Sequence, residues 1–265
     1  MSRNNQLDGP VATLDRVSHS YRLGRTVSVE ALKEFSLCIK SGEFVAIVGP
    51  SGCGKSTVLR LLAGLLKPST GAISVMGRNP DKARELHEVS IMFQQPALLD
   101  WRTVRGNIAL PLELGSRIHG IESSARIEDL IRLVGLTGFE SSLPSELSGG
   151  MQQRVALARA LNGPGRPTLM LMDEPFAAVD QINRERLNRE LEAIWLDYRP
   201  AVLFVTHSIT EACYLADRVV VMSDRPGTIV ASIDIPFGRP RASDFATSAE
   251  LANLAAQVRK ELSNE

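Results

Sequence analysis

The segment from Gly49 to Thr57 constrains this chain most strongly, because it places a glycine-rich turn between an apolar run and an amphipathic one. The run before it, Phe44 to Val48, is typical of a buried strand, and the run after it, Val58 to Leu66, is typical of a helix. A strand, a glycine-rich turn and a helix in this order match the phosphate-loop pattern G-x-x-x-x-G-K-S/T. The chain therefore predicts an α/β unit that holds phosphate at the end of a strand.

Each residue type in this phosphate loop has a chemical reason to be there. The glycines let the backbone curl so that its N–H groups point at phosphate oxygens. Lys55 can reach the outer phosphates, and the Ser56 hydroxyl can bind Mg²⁺. An ordinary turn before a helix is the alternative, but it would not need lysine and serine at these two offsets. The predicted phosphate-binding residues are Gly49, Pro50, Ser51, Gly52, Cys53, Gly54, Lys55, Ser56 and Thr57.

Two further junctions carry candidate chemistry. The apolar run Leu169 to Met172 predicts a buried strand, and Asp173 and Glu174 follow it at the edge where ligands of such sheets bind. Asp173 would bind Mg²⁺ through water, and Glu174 would orient and polarise the attacking water. The segment Leu147 to Gly150 begins another helix, with Ser148 as its N-cap, and forms a second candidate anion site or a plain helix cap.

Composition and charge limit the function further. Formal net charge is zero, with 44% hydrophobic and 23% charged residues, which argues against a nucleic-acid-binding protein. No apolar run approaches the roughly 18 residues of a membrane span. The polar segment Met1 to Pro10 lacks the core of a signal peptide. We therefore expect a cytosolic protein, unless a partner holds it at a membrane.

The phosphate loop, the segment Leu147 to Gly150, the pair Asp173–Glu174 and a strand that ends in Thr206-His207 occur in the order found in ATP-binding-cassette (ABC) ATPases. The chain resembles this family over about residues 11–235. The resemblance implies an ABC-type nucleotide-binding domain, with a RecA-like α/β P-loop core and an antiparallel β subdomain. The helical periodicity after Thr103 fits the inserted helical subdomain of this family, at about residues 96–160. Residues 236–265 are expected to form a C-terminal linker and helix.

The resemblance assigns roles within one copy, with ATP and Mg²⁺ as cofactors. Tyr21 is expected to stack on adenine, and His207 to contact the γ-phosphate. Gln94, with Gln95 as the fallback, would sense Mg²⁺ and water. The catalytic set implied is Glu174, His207 and Gln94, and the metal set is Ser56, Gln94 and Asp173.

The resemblance also implies a second copy of the chain. In this family two copies enclose two nucleotides, and the signature segment of one copy (here Leu147–Gly150) closes on the phosphate loop of the other. One phosphate loop and one signature segment build only half of each complete site. The residues expected to act on the partner's ATP are Ser148, Gly149, Gly150 and Asp180.

Several phrases resemble the nitrate/sulfonate/taurine importer ATPases: Leu147 to Ala160, Tyr214 to Ser223, Arg225-Pro226-Gly227 and Pro240-Arg241. This resemblance implies an ATPase that drives uptake of a small anion through separate integral membrane permease subunits. An extracytoplasmic substrate-binding protein would complete the complex, and the chain would lie peripherally on the cytoplasmic side of the inner membrane. The segment Pro96 to Arg102, with Trp101, resembles the surface on which the permease subunits dock.

Two other functions compete with this interpretation. A soluble, non-transport ABC ATPase acting on nucleic acid or ribosomes is disfavoured by the neutral charge and by the Trp101 segment. A P-loop kinase for a small metabolite would not need the signature segment. A thiol reagent at Cys53, inside the phosphate loop, is expected to inactivate the protein, and bound ATP to protect it.

Overall fold

The structure is a computed structural model that contains side chains. It describes residues 9–24, 27–114, 121–163, 167–177, 179–242 and 244–263. Most of the polar N-terminal segment, residues 1–8, lies outside the described residues.

The chain alternates strands and helices over most of its length. The strands are β1 (Ala12–Leu23), β2 (Val27–Ile39), β3 (Phe44–Val48), β4 (Thr70–Val75), β5 (Val89–Met92), β6 (Leu169–Asp173), β7 (Ala201–Val205), β8 (Arg218–Met222) and β9 (Ile229–Asp234). The helices are α1 (Lys55–Leu62), α2 (Pro80–Glu85), α3 (Val104–Leu114), α4 (Ile121–Leu133), α5 (Gly149–Leu161), α6 (Gln181–Tyr198), α7 (Ile209–Leu215) and α8 (Ala249–Ser263).

The central sheet has six strands in the order β5-β6-β7-β3-β8-β9. All neighbours pair in parallel except β8 and β9, which are antiparallel. Every residue of β3 and β7 is buried. Continuous apolar strands of this kind are expected where both faces of a parallel sheet are covered. The predicted α/β core is therefore confirmed.

A smaller antiparallel sheet has the strand order β2-β1-β4. Leu14 of β1 lies opposite Leu37 on one side and Ile73 on the other. All three side chains are buried in the hydrophobic cluster that also contains the α1 leucines. The antiparallel β subdomain predicted from the resemblance is present, and it covers the phosphate-loop side of the central sheet.

Helices α3, α4 and α5 follow β5 and precede β6, and they pack on one another. Their contacts bury Ile108, Leu130, Ile131 and Val155 completely or nearly so. Asn107 is also fully buried, and its side chain bonds to the backbone at Leu99, Arg102 and Thr103. This one amide therefore fixes the loop that carries Trp101, whose side chain remains 76% exposed.

Two local features depart from the sequence periodicity. The helix after the phosphate loop, predicted to reach Leu66, ends at Leu62, because Gly64 has a left-handed φ of 64°. A Cβ at Gly64 would also lie 2.7 Å from the Asp81 backbone nitrogen. Helices α2 and α7 have only six and seven residues, too few for an apolar periodicity to predict them from the sequence. Helix α7 depends instead on Ser208, whose hydroxyl accepts a hydrogen bond from the Glu211 N–H.

The segment after β9 packs on the core instead of extending from it. Arg239 donates to Glu192 and Asp217, while Arg241 donates to the carbonyl oxygens of Tyr214 and Ala216. Glu192 also accepts the backbone N–H of Arg241 at 3.1 Å. These contacts join α6, the end of α7 and the C-terminal segment into one buried ionic cluster, which we call the arginine clasp.

We predict that Glu192→Ala lowers the free energy of unfolding by about 3 kcal/mol or more, because it leaves the buried Arg239 guanidinium without this partner. Glu85→Ala is the matched control, since it removes a carboxylate that is 61% exposed and pairs with Lys82. This surface pair should contribute less than about 1 kcal/mol. Urea unfolding of the two variants measures the difference, and equal effects would contradict the assignment of a buried clasp.

Candidate nucleotide-binding site

The carboxyl ends of four neighbouring parallel strands meet at one edge of the central sheet. The phosphate loop follows β3, Asp173 ends β6, Thr206-His207 follows β7, and Gln94 comes shortly after β5. A cleft opens at this edge, which we call the nucleotide cleft. Its lining residues are Tyr21, Ala31, Ser51, Gly52, Gly54, Lys55, Ser56, Thr57, Arg60, Glu174, His207 and Arg225.

The phosphate loop has the conformation that its glycines allow. Gly54 precedes α1 with a φ of 110°, and a Cβ there would lie 2.8 Å from the Ala31 carbonyl oxygen. Glycine is therefore required at this position both for its backbone conformation and for space. Lys55 Nζ donates to the carbonyl oxygens of Gly49 at 2.8 Å and Pro50 at 2.7 Å, so the lysine spans its own loop.

Ser56 and Asp173 meet across the cleft floor, since Ser56 Oγ donates to Asp173 Oδ1 at 3.0 Å. Burial raises the pKa of the Asp173 carboxyl, and the hydrogen bond from Ser56 acts in the opposite direction. A hydroxyl and a carboxylate are oxygen ligands of the kind that Mg²⁺ takes. The described residues contain no group of three or more His, Cys, Asp or Glu that could hold a metal without other ligands. The donor set thus fits Mg²⁺ that keeps waters and binds substrate phosphates.

Glu174 is the centre of a polar triad. Its carboxylate is 2.5 Å from His207 Nε2 and accepts a hydrogen bond from Gln94 Nε2 at 3.3 Å. The Glu174 backbone has a φ of 47°, a left-handed conformation that is uncommon for residues other than glycine. Such a backbone at the end of a strand turns the carboxylate toward the cleft. The structure therefore brings together the three residues predicted to be catalytic.

Tyr21 lies on the wall of the nucleotide cleft formed by β1. Its hydroxyl is 3.1 Å from Thr57 Oγ1, and its ring meets the His19 ring edge-on at a centroid distance of 4.8 Å. The contact with Thr57 positions the Tyr21 hydroxyl, and the contact with His19 positions its ring. Tyr21 is partly exposed, and it contributes to the lining of the cleft.

The signature segment lies outside the nucleotide cleft. Ser148 caps α5, and its Oγ accepts the Met151 N–H at 3.3 Å. Ser148, Gly149, Gly150 and Asp180 instead line a second cavity, which shares no residue with the cleft. Ala178, in the loop before Asp180, lies outside the described residues. One chain thus carries the two groups of predicted ATP ligands in separate places.

Two residues that the sequence analysis did not single out connect these places. Gln153 Nε2 donates to the Gln94 carbonyl oxygen at 3.0 Å, and Arg159 donates to the carbonyl oxygens of Pro96 and Ala97. Both side chains come from α5, the helix that the signature segment begins. The sequence shows only that both residues belong to the helix after the signature segment, and this does not reveal the loop that they hold.

A family model described as "ABC transporter" matches residues 32–177, which is more than half of the chain. The chain belongs to the ABC transporter family. The match covers the phosphate loop, Gln94, the signature segment and Asp173–Glu174. This ABC protein therefore binds and hydrolyses ATP.

Relatives of the ABC protein include two named importer subunits. The nitrate import ATP-binding protein NrtD of Synechococcus elongatus is 42% identical over 80% of this chain and 76% of its own length. The taurine import ATP-binding protein TauB of Rhizobium johnstonii is 43% identical over 91% of this chain and 90% of its own.

A solved structure, titled as the dimeric structure of MJ0796, a bacterial ABC transporter cassette, is similar to the ABC protein with a TM-score of 0.74 and 31% identity. It covers 86% of this chain and 100% of its own. A second structure of MJ0796, with the same similarity, is titled as a post-hydrolysis state bound to ADP and Pi. Both titles describe the MJ0796 cassette as a dimer. Within the described residues, no helix of the ABC protein is long and apolar enough to cross a membrane.

The position of Cys53 corrects one expectation about the phosphate loop. Its thiol is only 1% exposed and packs 3.9 Å from Lys55 Nζ. Burial raises the pKa of the Cys53 thiol, in spite of the nearby lysine, so little reactive thiolate forms. Rapid inactivation through this cysteine is therefore not expected.

We predict that iodoacetamide modifies Cys38 first, because it is exposed, whereas Cys53 and Cys213 are buried. Burial also raises the pKa of Cys213, to about 11. Mass spectrometry of the folded protein over time measures the order, and urea-unfolded protein is the control in which all three sites should react. Modification of Cys53 at the rate of Cys38 in the folded protein would contradict its placement.

Proposed function

We propose that this chain is the ATP-hydrolysing subunit of an importer, which pairs with a second copy of itself on ATP and drives uptake of a small anion through separate membrane subunits. The observation that carries the proposal is the separation of the nucleotide cleft from the signature cavity in one chain. A complete site then requires the cleft of one copy and the signature segment of another. The ATPase domain spans residues 11–235, with the helical subdomain at about 96–160, and residues 236–265 follow it.

Within one copy, backbone N–H groups of the phosphate loop and the Lys55 ammonium bind the phosphates of ATP, and Tyr21 stacks on adenine. Ser56, Asp173 and Gln94 would hold Mg²⁺, and the ion would supply charge neutralisation at the phosphates. Glu174 accepts a proton from the attacking water. His207 and Gln94 hold the Glu174 carboxylate in place and face the γ-phosphate. To contact the γ-phosphate, the His207 and Gln94 side chains must break their bonds to Glu174 when ATP binds.

The second copy contributes the remaining ligands. Ser148 and the N–H groups of Gly149 and Gly150 approach the γ-phosphate of the partner's ATP, together with Asp180. A helix N-terminus stabilises negative charge there. Hydrolysis and phosphate release remove the acceptor that both copies share. ATP therefore favours the closed dimer, and its hydrolysis reopens it.

We predict that Glu174→Gln retains ATP binding, lowers turnover by roughly 100-fold or more and accumulates an ATP-bound dimer. The amide keeps the size of the side chain but cannot accept the proton from water. Phosphate release assays and size-exclusion chromatography with ATP measure the two effects. Glu85→Gln, at an exposed position, is the control. A variant that stays monomeric at saturating ATP would contradict the two-copy site.

The helical subdomain offers a surface for the membrane subunits. The ring of Trp101 is exposed on a loop that Asn107 holds, and Arg159 ties the neighbouring carbonyls to α5. An exposed aromatic side chain on a rigid support is typical of an interaction site. The likeness to NrtD and TauB supports a solute such as nitrate or taurine. A sulfonate as the solute and an extracytoplasmic substrate-binding protein as a further partner remain part of the proposal. The chain would then act at the cytoplasmic side of the inner membrane.

We predict that Trp101→Ala lowers co-purification with the integral membrane subunits at least roughly fivefold, as expected for a buried aromatic anchor of an interface. ATP hydrolysis by the isolated protein should not change, because Trp101 lies outside the nucleotide cleft. Val230→Ala, at a partly exposed position on β9, is the control. Normal co-purification of the Trp101 variant would exclude this surface.

The two alternative functions find less support. Nothing in the zero net charge or among the named relatives supports a cassette ATPase that acts on nucleic acid or ribosomes. A metabolite kinase would not need the cavity that Ser148, Gly149, Gly150 and Asp180 line. Co-purification of nucleic acid, instead of membrane proteins, would favour the first alternative.

A further inference from the structure

The loop between β8 and β9 carries the phrase Arg225-Pro226-Gly227, to which none of the roles above applies. Strand β8 pairs in parallel with β3, so that Val221 lies opposite Val48, the last residue before the phosphate loop. The loop after β8 therefore begins beside the loop after β3. This neighbourhood follows from the strand order and does not depend on any side chain.

At Gly227 the loop between β8 and β9 packs closely against the phosphate loop. Its N–H donates to the Ala31 carbonyl oxygen at 2.9 Å, and its own carbonyl oxygen accepts the Lys33 N–H at 3.2 Å. A Cβ at Gly227 would lie 2.1 Å from the Cys53 carbonyl oxygen, so the position has no room for a side chain. The loop after β8 is thus bonded to β2 and packed directly against the phosphate loop.

Ser223 braces the same loop from inside. Its hydroxyl oxygen accepts the Thr228 N–H at 2.9 Å, and the Ser223 N–H donates to the Thr228 carbonyl oxygen at 3.0 Å. The Ser223 hydroxyl is also 3.0 Å from Thr228 Oγ1. These bonds close the loop at its base and hold the residues between them in one conformation.

Arg225 extends from this braced loop into the nucleotide cleft, where it lines the wall together with Lys55 and Arg60. The side chain is exposed, and it forms no salt bridge with a carboxylate in the part of the chain that the structure describes. An exposed guanidinium at the rim of this cleft, with no carboxylate partner among the described residues, is available for charge-assisted hydrogen bonds to phosphate oxygens.

We propose that Arg225 is a nucleotide-binding residue, which contacts the phosphates of ATP from the loop after β8. This inference rests on the proposed placement of ATP in the cleft. Removal of the guanidinium should raise the Kd for ATP about fivefold, a modest factor because the side chain is exposed and its interactions are screened by salt. The effect should shrink from ATP to ADP to AMP, as phosphates are lost, and should decrease at high ionic strength.

The test compares Arg225→Gln and Arg225→Lys in the full-length protein, by calorimetric titration with ATP, ADP and AMP in the presence of Mg²⁺. Glutamine removes the charge and keeps most of the side-chain length, whereas lysine keeps the charge. Arg132→Ala is the control, because this arginine is 72% exposed on α4 and absent from the cleft lining. Urea unfolding of every variant checks that stability is unchanged.

The proposal expects a weakened Arg225→Gln variant and an unaffected Arg132→Ala variant. The affinity of Arg225→Lys should lie between those of Arg225→Gln and the parent, because lysine keeps the charge but not the fork of donors. An Arg225→Gln variant that binds ATP as the parent does would overturn it, and so would an equal loss for ATP and AMP. Lys55→Ala separates this failure from failure of the proposed site. If Lys55→Ala binds ATP normally, the placement of ATP itself is wrong, whereas a weakened Lys55→Ala with a normal Arg225→Gln rejects only the role of Arg225.

Discussion

The parallel alignment of β5, β6, β7 and β3 is the constraint on which the nucleotide cleft depends. Because these strands run in one direction, the residues that follow each of them arrive at the same edge of the sheet. The contact between Ser56 and Asp173 joins side chains 117 positions apart in the chain, and the contact between Gln94 and Glu174 spans 80 positions. A slip of one residue in any strand would turn its side chains to the opposite face and separate these groups.

Helix α5 links the two halves of the proposed function. It begins at the signature segment, which lines a cavity separate from the nucleotide cleft, and it holds the loop after β5 through Gln153 and Arg159. That loop leads from Gln94 in the cleft to the exposed Trp101. A displacement of α5 on dimer closure would therefore move the surface proposed for the membrane subunits, without any further connecting element.

The sequence predicted those parts of the molecule that depend on local chemistry. The glycines and Lys55 of the phosphate loop, the acids after β6 and the Ser148 cap are set by neighbours in the chain, and each lies where its pattern indicates. The arginine clasp and the anchoring of Gly227 on the phosphate loop depend on tertiary contacts between distant segments. No periodicity encodes such contacts. The burial of Cys53, which changed its expected reactivity, belongs to the same class.

The two carbonyl oxygens that accept hydrogen bonds from Lys55 compete with ATP for the lysine. The ammonium is already satisfied by Gly49 and Pro50 within its own loop. An arriving triphosphate must therefore exchange places with these internal acceptors, and the measured affinity reports only the difference between the two sets of bonds. These two carbonyl oxygens give the buried Lys55 ammonium hydrogen-bond partners within its own loop, as a buried charge requires.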